Sequence, residues 1–254
     1  HKPVMEAAGL HVNFYPYFDS VTKQVNPEAM LAALSKAGPD DVVLLHGCCH
    51  NPTGADIRTE HWQAINELAQ KNGFTPFVDI AYQGFGDGLE EDAYGLRLLA
   101  DSVEEMLIAT SCSKNFGLYR ERTGAAIVIG KNKQEATNAK GRILQLARST
   151  YTMPPDHGAA IVETILSDDG LTTQWRAELD GMRNRIISLR EGLSAALSAR
   201  TGDSHFDFIK AHKGMFSMLA YSPEQMVKLR EEFGIYAVGD SRINVAGLTE
   251  SRID

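Results

Sequence analysis

The fold is decided by residues 41–54, DVVLLHGCCHNPTG, in which a short apolar run is followed by a polar turn. The run Val42–His46 predicts a buried strand, because strands covered on both faces read as continuous apolar segments. Further along, helical patterns alternate with three more apolar runs, which favours an α/β fold with a mostly parallel sheet. The predicted elements are the helix Thr59–Asn72 and the strands Phe74–Ile80, Met106–Thr110 and Ala125–Ile129.

The second half of the chain is predicted to be helical and then mixed. Residues 171–200 carry apolar side chains at spacings of three or four, which predicts a long helix with one apolar face. Such a helix can link two domains, so we expect residues 1–180 to belong to a large domain and residues 181–254 to a small α+β domain. The other predicted elements are the helices Lys133–Arg148, Asp156–Leu166 and Pro223–Phe233 and the strands Phe206–Ile209, Met215–Leu219, Tyr236–Val238 and Ile243–Ala246.

The composition is that of an ordinary soluble protein. Of the 254 residues, 43% are hydrophobic and 23% are charged, which excludes a disordered or collagen-like chain. The net charge of -8 is opposite in sign to that of a general nucleic-acid-binding protein. No apolar run approaches the ~20 residues that a membrane helix needs. We therefore expect a cytoplasmic protein with neither a membrane nor a nucleic-acid partner.

The three cysteines predict no special chemistry. Cys48 and Cys49 are neighbours, Cys112 lies far away, and no Cys-x-x-Cys spacing occurs. An odd number of cysteines in a chain of this length does not indicate a disulfide framework. We expect buried, reduced thiols and no metal site.

Four polar segments each follow or overlap the end of a predicted strand. In open parallel sheets, ligands bind outside the carboxyl ends of the strands, so these segments are expected to converge on one crevice. They are residues 46–54, 79–85, 111–117 followed by Arg122, and 242–247 in the small unit.

Two charged residues in these segments suggest catalysis or cofactor binding. Lys114 lies between a hydroxyl-rich turn and a glycine, where loss of solvation would make its amine nucleophilic enough to form a Schiff base. Alone, the same pattern is more typical of an exposed loop lysine. Asp79 ends an apolar strand, where a carboxylate is costly unless it meets a cation. The alternative for Asp79 is an exposed turn aspartate.

A phosphate site is also indicated. Ser111, Ser113 and Arg122 offer two hydroxyl groups and one bidentate guanidinium within a dozen residues. Arg122 also lies beside Glu121, so the alternative is a surface ion-pair residue.

Together the segments resemble those of the fold-type I, pyridoxal-phosphate-dependent aminotransferases, specifically the aspartate and aromatic amino acid aminotransferases. The resemblance covers essentially the whole chain. Its motifs include Asn51-Pro52-Thr53-Gly54 and Ser111-Cys112-Ser113-Lys114-Asn115-Phe116-Gly117. It implies that residues 1–180 are part of a domain that binds pyridoxal 5'-phosphate.

The resemblance implies a role for each polar residue. Lys114 would hold the cofactor covalently and later move the substrate proton, while Asp79 would pair with the pyridine nitrogen. Tyr82 and Asn51 would bind the phenolic oxygen of the cofactor. Its phosphate would be bound by Ser111, Ser113 and Arg122. His46 would belong to a network behind the ring, or be a core histidine. His1 aligns with a histidine that supports the aspartate, but as a terminal residue it is given no role.

Two arginines and Asn51 are implied in substrate binding. Arg242 would clamp the α-carboxylate, because a guanidinium makes a planar two-point contact. Asn51 would also contact this carboxylate. Arg148 would bind the distal carboxylate of a dicarboxylic substrate across a subunit interface. Thr152 and Met153 depart from the family pattern nearby, and aspartate and aromatic substrates stay as alternatives.

The function implied is a ping-pong transamination between an amino acid such as aspartate, or an aromatic amino acid, and 2-oxoglutarate in a homodimer. The family's phosphate loop, stacked aromatic residue and intersubunit tyrosine would precede residue 1. We therefore expect the central and carboxyl part of such an enzyme, truncated at both ends, with exposed sheet edges. The alternative is a non-catalytic fragment that folds or binds the cofactor without turnover.

Overall fold

The computed structural model describes residues 1–253, apart from the side chain of residue 252. In chain order the helices and strands are α1 Lys2–Ala7, β1 Phe18–Asp19, β2 Gln24–Val25, α2 Pro27–Leu34, β3 Val42–His46, α3 Thr59–Asn72, β4 Thr75–Ile80, α4 Tyr94–Ala100, β5 Met106–Ser111, β6 Gly124–Ile129, α5 Lys133–Thr150, α6 His157–Ser167, α7 Asp169–Thr201, α8 Phe208–Ala211, β7 Phe216–Met218, α9 Pro223–Phe233 and β8 Arg242–Asn244.

A four-stranded sheet forms the centre of the fold, in the order β3-β4-β5-β6. Strands β3, β4 and β5 run parallel, and β6 pairs with β5 in the antiparallel direction. The predicted α/β fold with a mostly parallel sheet is confirmed. The register places His46 beside Asp79, so the polar segments that follow β3, β4 and β5 leave the sheet at the same edge.

The main core packs helices against this sheet. Leu45, Val78 and Met106 of the strands are fully buried, and α3 contributes Trp62. Close packing of α3 on α4 requires a glycine at position 95, since a Cβ there would lie 2.2 Å from the indole of Trp62.

Much of β6 and α5 is uncovered. Ile127 on β6 and Ile143, Leu144 and Leu146 on α5 are exposed, and α5 has no buried residue. This agrees with the expectation of exposed sheet edges and apolar surface.

The carboxyl-terminal part forms a smaller α+β unit around a second hydrophobic cluster. Phe208, Ile209 and Leu219 are buried there, against Leu193 and Leu197 of α7. A capping box begins α9: the Ser222 hydroxyl accepts from Gln225 N, and the Gln225 side chain accepts from Ser222 N. The division into two domains at residue 180 stays a prediction.

Two predicted strands are wrong. Residues 206–209 form a short 3-10 helix, His205–Asp207, that continues into α8. Phe208 and Ile209 are both buried, which a helical turn allows and an alternating strand does not. Residues 236–238 form no strand, because Tyr236 is exposed and the chain reverses at once: Ser241 N donates to the Val238 carbonyl.

Two predicted strands of the carboxyl-terminal part are shorter than expected. The strand predicted at Met215–Leu219 spans only Phe216–Met218. The strand predicted at Ile243–Ala246 begins at Arg242, ends at Asn244 and continues into a 3-10 helix, Val245–Gly247. Among the described residues, none of the helices is both long and apolar enough to cross a membrane.

Candidate active site

Asp79 lies at the end of β4 between two histidines. Its Oδ2 atom is 2.8 Å from His1 Nε2, and the His1 ring meets the His46 ring edge-on at a centroid distance of 5.2 Å. The His1 carbonyl accepts from Val4 N and Met5 N, so the first turn of α1 holds this residue in place. The family resemblance aligned His1 with a histidine that supports the aspartate, and this contact agrees with that alignment, although His1 was given no role because of its terminal position.

A column of aromatic rings continues behind Asp79. His46 lies 4.4 Å from His50, which stacks on Tyr17 at 4.0 Å. Burial lowers the pKa of His46, although the negative charge of Asp79 opposes this, and burial with the nearby His46 lowers the pKa of His50 to about 3. The geometry agrees with a place for His46 in a network behind the predicted ring site.

Lys114 lies close to Tyr82 and to charged residues of both signs. Its Nζ atom is 4.6 Å from the centroid of the Tyr82 ring. Partial burial lowers the pKa of Lys114; the charge of Asp79 opposes this shift, and that of Arg122 adds to it. The amine therefore loses its proton more readily than an ordinary lysine, as a nucleophile or general base requires.

The loop that carries Lys114 is fixed on α7. Trp175 Nε1 donates to the Asn115 carbonyl at 2.7 Å, and the Trp175 ring stacks on Phe116 at 4.3 Å. Asn115 Nδ2 donates to the Gln83 carbonyl, which ties the loop to the segment after β4. These contacts restrict where the Lys114 side chain can reach.

Arg242, Asn51 and Tyr82 form a hydrogen-bonded chain. Arg242 Nη1 donates to Asn51 Oδ1 at 2.6 Å, and Asn51 Nδ2 donates to the Tyr82 hydroxyl at 3.4 Å. The Arg242 guanidinium lies 5.0 Å from the centroid of the Phe216 ring. Its buried Nε atom finds no hydrogen-bond partner among the described residues. An unpartnered buried donor on an arginine fits a carboxylate that completes its coordination.

The three residues predicted to bind phosphate lie between the end of β5 and the start of β6 and differ in exposure. Ser113 is buried, Ser111 is half-buried and Arg122 is exposed. Ser113 N donates to Ser111 Oγ at 3.2 Å, and Arg122 Nη1 donates to the Tyr119 carbonyl at 2.8 Å.

The predicted surface alternative for Arg122 was an ion pair with Glu121. The carboxylate of Glu121 lies instead 3.0 Å from His157 Nδ1.

The structure does not bring Arg148 to this group of residues. Arg148 is exposed in the last turn of α5, a helix with no buried residue. The other predicted site residues lie at the ends of β4 and β5, on the segments that follow β3, β4 and β5, or at β8.

The whole chain, residues 1–254, matches the family model described as aminotransferase class I and II. This chain belongs to that family. The aminotransferase fold is shared with solved relatives: it superposes with a TM-score of 0.97 at 49% identity on an aromatic amino acid aminotransferase with 3-indolebutyric acid, covering 100% of this chain and 64% of that one. The same TM-score, at 42% identity and with the same coverage, is found for an aromatic-amino-acid aminotransferase from Burkholderia pseudomallei covalently bound to pyridoxal phosphate.

Curated aminotransferases of two substrate types are similar to the chain. The aromatic-amino-acid aminotransferase of Paracoccus denitrificans is 49% identical over 253 residues, which are 100% of this chain and 64% of that protein. The aspartate aminotransferase of Escherichia coli K12 is 45% identical over 249 residues, which are 98% of this chain and 63% of that protein. The chain thus spans about 64% of the length of the aminotransferases it matches.

Proposed function

We propose that this chain is part of a pyridoxal 5'-phosphate-dependent transaminase that transfers the amino group of aspartate, or of an aromatic amino acid, to 2-oxoglutarate. The observation that carries the proposal is the convergence of Lys114, Asp79, Tyr82 and Arg242 at one edge of the sheet. Family membership supports the reaction type, and relatives named for aspartate and for aromatic substrates leave the preferred amino acid open.

The residues at the strand ends fit such a cofactor. Lys114 would hold it covalently, Asp79 would pair with its pyridine nitrogen, and Tyr82 would donate to its phenolic oxygen. The His1 contact supports this role for Asp79, because it fixes the position of the carboxylate at the end of β4. The other residues proposed to hold it are Asn51 at the phenolic oxygen and Ser111, Ser113 and Arg122 at the phosphate. When bound, the cofactor supplies an electron sink for the charge that develops at the substrate α-carbon.

Lys114 is also proposed as the proton carrier. Once the substrate amine has displaced it, its free amine would accept the α-proton. The lowered pKa of Lys114 favours this step, because a larger fraction of the amine is neutral near pH 7. Its fixed loop would keep the amine within reach of the same carbon in both halves of a ping-pong reaction.

Arg242 and Asn51 are proposed to orient the substrate through its α-carboxylate. The unpartnered Nε of Arg242 supports this role, since a bound carboxylate would satisfy it. The Phe216 ring beneath the guanidinium fixes its plane, and a fixed plane lets two N–H groups reach one carboxylate together.

Arg148 is proposed to bind the distal carboxylate of a dicarboxylic substrate in a homodimer. Its exposed position, away from the other site residues, suits a side chain that is supplied to a neighbouring subunit. The uncovered apolar residues of the same helix support an interface at this surface. We further propose a cytoplasmic protein without nucleic-acid or membrane partners, divided into a cofactor-binding part, residues 1–180, and a small part, residues 181–254.

The alternative is a chain that binds the cofactor without turning over substrate. The length of the chain, about 64% of its relatives, and the separation of Arg148 from the other site residues favour this alternative for the 254 residues alone.

One experiment tests the proposal and separates the alternatives. The protein is incubated with pyridoxal 5'-phosphate, reduced with borohydride and digested, and the modified lysines are identified by mass spectrometry. We expect a pyridoxyl group on Lys114 and not on Lys131, an exposed lysine that serves as the control. Lys114→Ala should lose the adduct and all turnover of aspartate with 2-oxoglutarate.

The outcomes are distinct. Equal labelling of Lys114 and Lys131 would reject the cofactor site. Specific labelling of Lys114 without turnover would select the alternative of a binding, non-catalytic chain.

A further inference from the structure

Two buried thiols and one buried carboxylate meet outside the proposed active site. One ligand atom each from Cys48, Cys49 and Asp92 lies within 4.8 Å of the other two, and all three residues are buried. None of the three is proposed to touch the cofactor or the substrate. The described residues contain one other such cluster, His1, His46 and Asp79, which belongs to the active site described above.

The backbone at Cys49 places the two adjacent thiols close to each other. In an extended strand, successive side chains point to opposite faces. Cys49 instead has φ 51, a left-handed conformation that is unusual for a residue with a side chain. The carboxylate of Asp56 fixes this turn, because it accepts from Cys49 N and from His50 N, both at 2.7 Å.

Asp92 is held rigidly and keeps free coordination capacity. Its Oδ2 accepts from Gly84 N and Gly86 N, whereas its Oδ1 accepts only from Asp87 N among the described residues. Each carboxylate oxygen can accept about two bonds. One acceptor position on Oδ1 therefore remains for a further partner.

A cavity gives access to this cluster. It has a volume of about 370 Å³, and Cys48 and Asp92 are part of its wall. The acidic side chains around it outnumber the basic ones, so the cavity attracts cations. Its acidic residues are Asp56, Glu60, Asp87, Glu91 and Asp92, and its basic residues are Arg58 and Lys213.

We propose that Cys48, Cys49 and Asp92 form a binding site for a thiophilic divalent cation of the zinc group, with the cavity as its access route. Two sulfur ligands and one carboxylate oxygen suit Zn²⁺ and Cd²⁺, whereas Mg²⁺ and Ca²⁺ prefer oxygen alone. Tetrahedral bonds of about 2.3 Å to sulfur put the ligand atoms about 3.8 Å apart, so small side-chain movements close the site. A water molecule would complete the tetrahedron.

Binding is balanced by proton release. Each cysteine enters as a thiol and leaves its proton to solvent, so one divalent cation displaces two protons and is held by two thiolates and one carboxylate. The cation offsets the burial of these negative charges. Binding does not depend on the cofactor or on transamination, so failure of the proposed function leaves this inference intact.

The test uses the 254-residue chain after treatment with a chelator. Cd²⁺ and then Zn²⁺ are titrated by equilibrium dialysis with metal analysis, and the ultraviolet absorption of cadmium–thiolate bonds is recorded alongside. We expect one Cd²⁺ per chain, bound with the thiolate absorption. Cys48→Ser and Cys49→Ser should each weaken Cd²⁺ binding at least ~10-fold. Loss of a residue that only supports a metal ligand already costs about 10-fold to 100-fold in affinity, so loss of a ligand itself should cost no less.

Cys112→Ser is the matched control, because Cys112 lies outside the cluster and should bind Cd²⁺ like the unchanged chain. Circular dichroism confirms that each variant is folded. Unchanged binding in the double variant Cys48→Ser/Cys49→Ser would overturn the proposal. Loss of binding in His46→Gln, with retention in that double variant, would place the metal at the histidine cluster and would overturn it equally.

Discussion

Replacement of Arg190 by methionine should remove a large part of the folding stability. Arg190 is only 2% exposed, yet no acid pairs with it among the described residues. Its guanidinium donates to four backbone carbonyls and to the Ser217 hydroxyl. The carbonyls belong to Ile209, Lys213, Gly214 and Phe216, so this one side chain holds the whole segment from α8 to β7.

The expected loss follows from two opposing contributions. Each buried carbonyl left without its donor costs about 1–3 kcal/mol, so four of them cost about 4–12 kcal/mol. Burial lowers the pKa of Arg190 well below its ordinary value, to about 10. This shift means that removing the buried charge returns about 3 kcal/mol, at 1.36 kcal/mol for each pKa unit. The difference is a net loss of about 1–9 kcal/mol, against a typical total stability of about 5–15 kcal/mol.

The assay is urea denaturation followed by circular dichroism, with Arg200→Met as the control. Arg200 lies in the last turn of the same helix but is exposed, so its loss should cost only a few tenths of a kcal/mol. The Phe216 carbonyl is one of the groups released, and the Phe216 ring lies under Arg242, so the substitution should also loosen the proposed substrate clamp. A loss below ~1 kcal/mol for Arg190→Met, or an equal loss for Arg200→Met, would refute this account of the segment.

Three further predictions concern substrate choice, pH and backbone packing. In a catalytically complete form, Arg242→Ala should lower kcat/KM for both aspartate and phenylalanine about 100-fold or more. Arg148→Ala should lower kcat/KM for aspartate only. Equal losses for the two substrates in Arg148→Ala would contradict the proposed binding of the distal carboxylate by Arg148. Burial lowers the pKa of His212 from 6.5 to about 4. As the pH falls, the unfolded chain therefore binds a proton at this histidine before the folded chain does. The free energy of unfolding should be greatest above about pH 6.5 and should fall by up to about 3 kcal/mol as the pH drops towards 4. Urea denaturation across this range should show a weaker pH dependence for His212→Gln, and an unchanged slope would exclude this histidine as the cause. Gly54→Ala should cost more than ~2 kcal/mol in the same measurement, because Gly54 has φ +77 and an added Cβ would lie 2.3 Å from a backbone carbonyl of β7; Gly141→Ala, where the space is open, should be tolerated.

The central sheet could be predicted because its strands are short apolar runs within the sequence. Val42–His46 and Met106–Thr110 are continuous apolar runs, which mark a strand whichever neighbours it pairs with. Lys114 and Asp79 could be brought to one edge on the same basis, since parallel strands end together. The contacts between the site side chains depend on the conformation of the loops after the strands. The hydrophobic pattern of the sequence does not predict that conformation.

Other features depend on contacts between distant residues and could not be predicted from spacing or periodicity. His1 meets Asp79 across 78 positions, and no spacing rule links the two residues, so only the family resemblance pointed to this contact. The proposed metal-binding cluster was not predicted for the same reason, because Cys48 and Asp92 belong to no sequence motif. The predicted strand at 206–209 failed because its apolar alternation also fits one helical turn.

Trp175 provides an optical reporter for the segment that holds Lys114. The chain has two tryptophans, and the other one, Trp62, is enclosed in the core. Trp175 stacks on Phe116 and donates its indole hydrogen to the neighbouring carbonyl, so any rearrangement of that loop changes both the polarity and the mobility around the fluorophore. With position 62 changed to phenylalanine, emission intensity would follow ligand-induced movement in real time without an added dye.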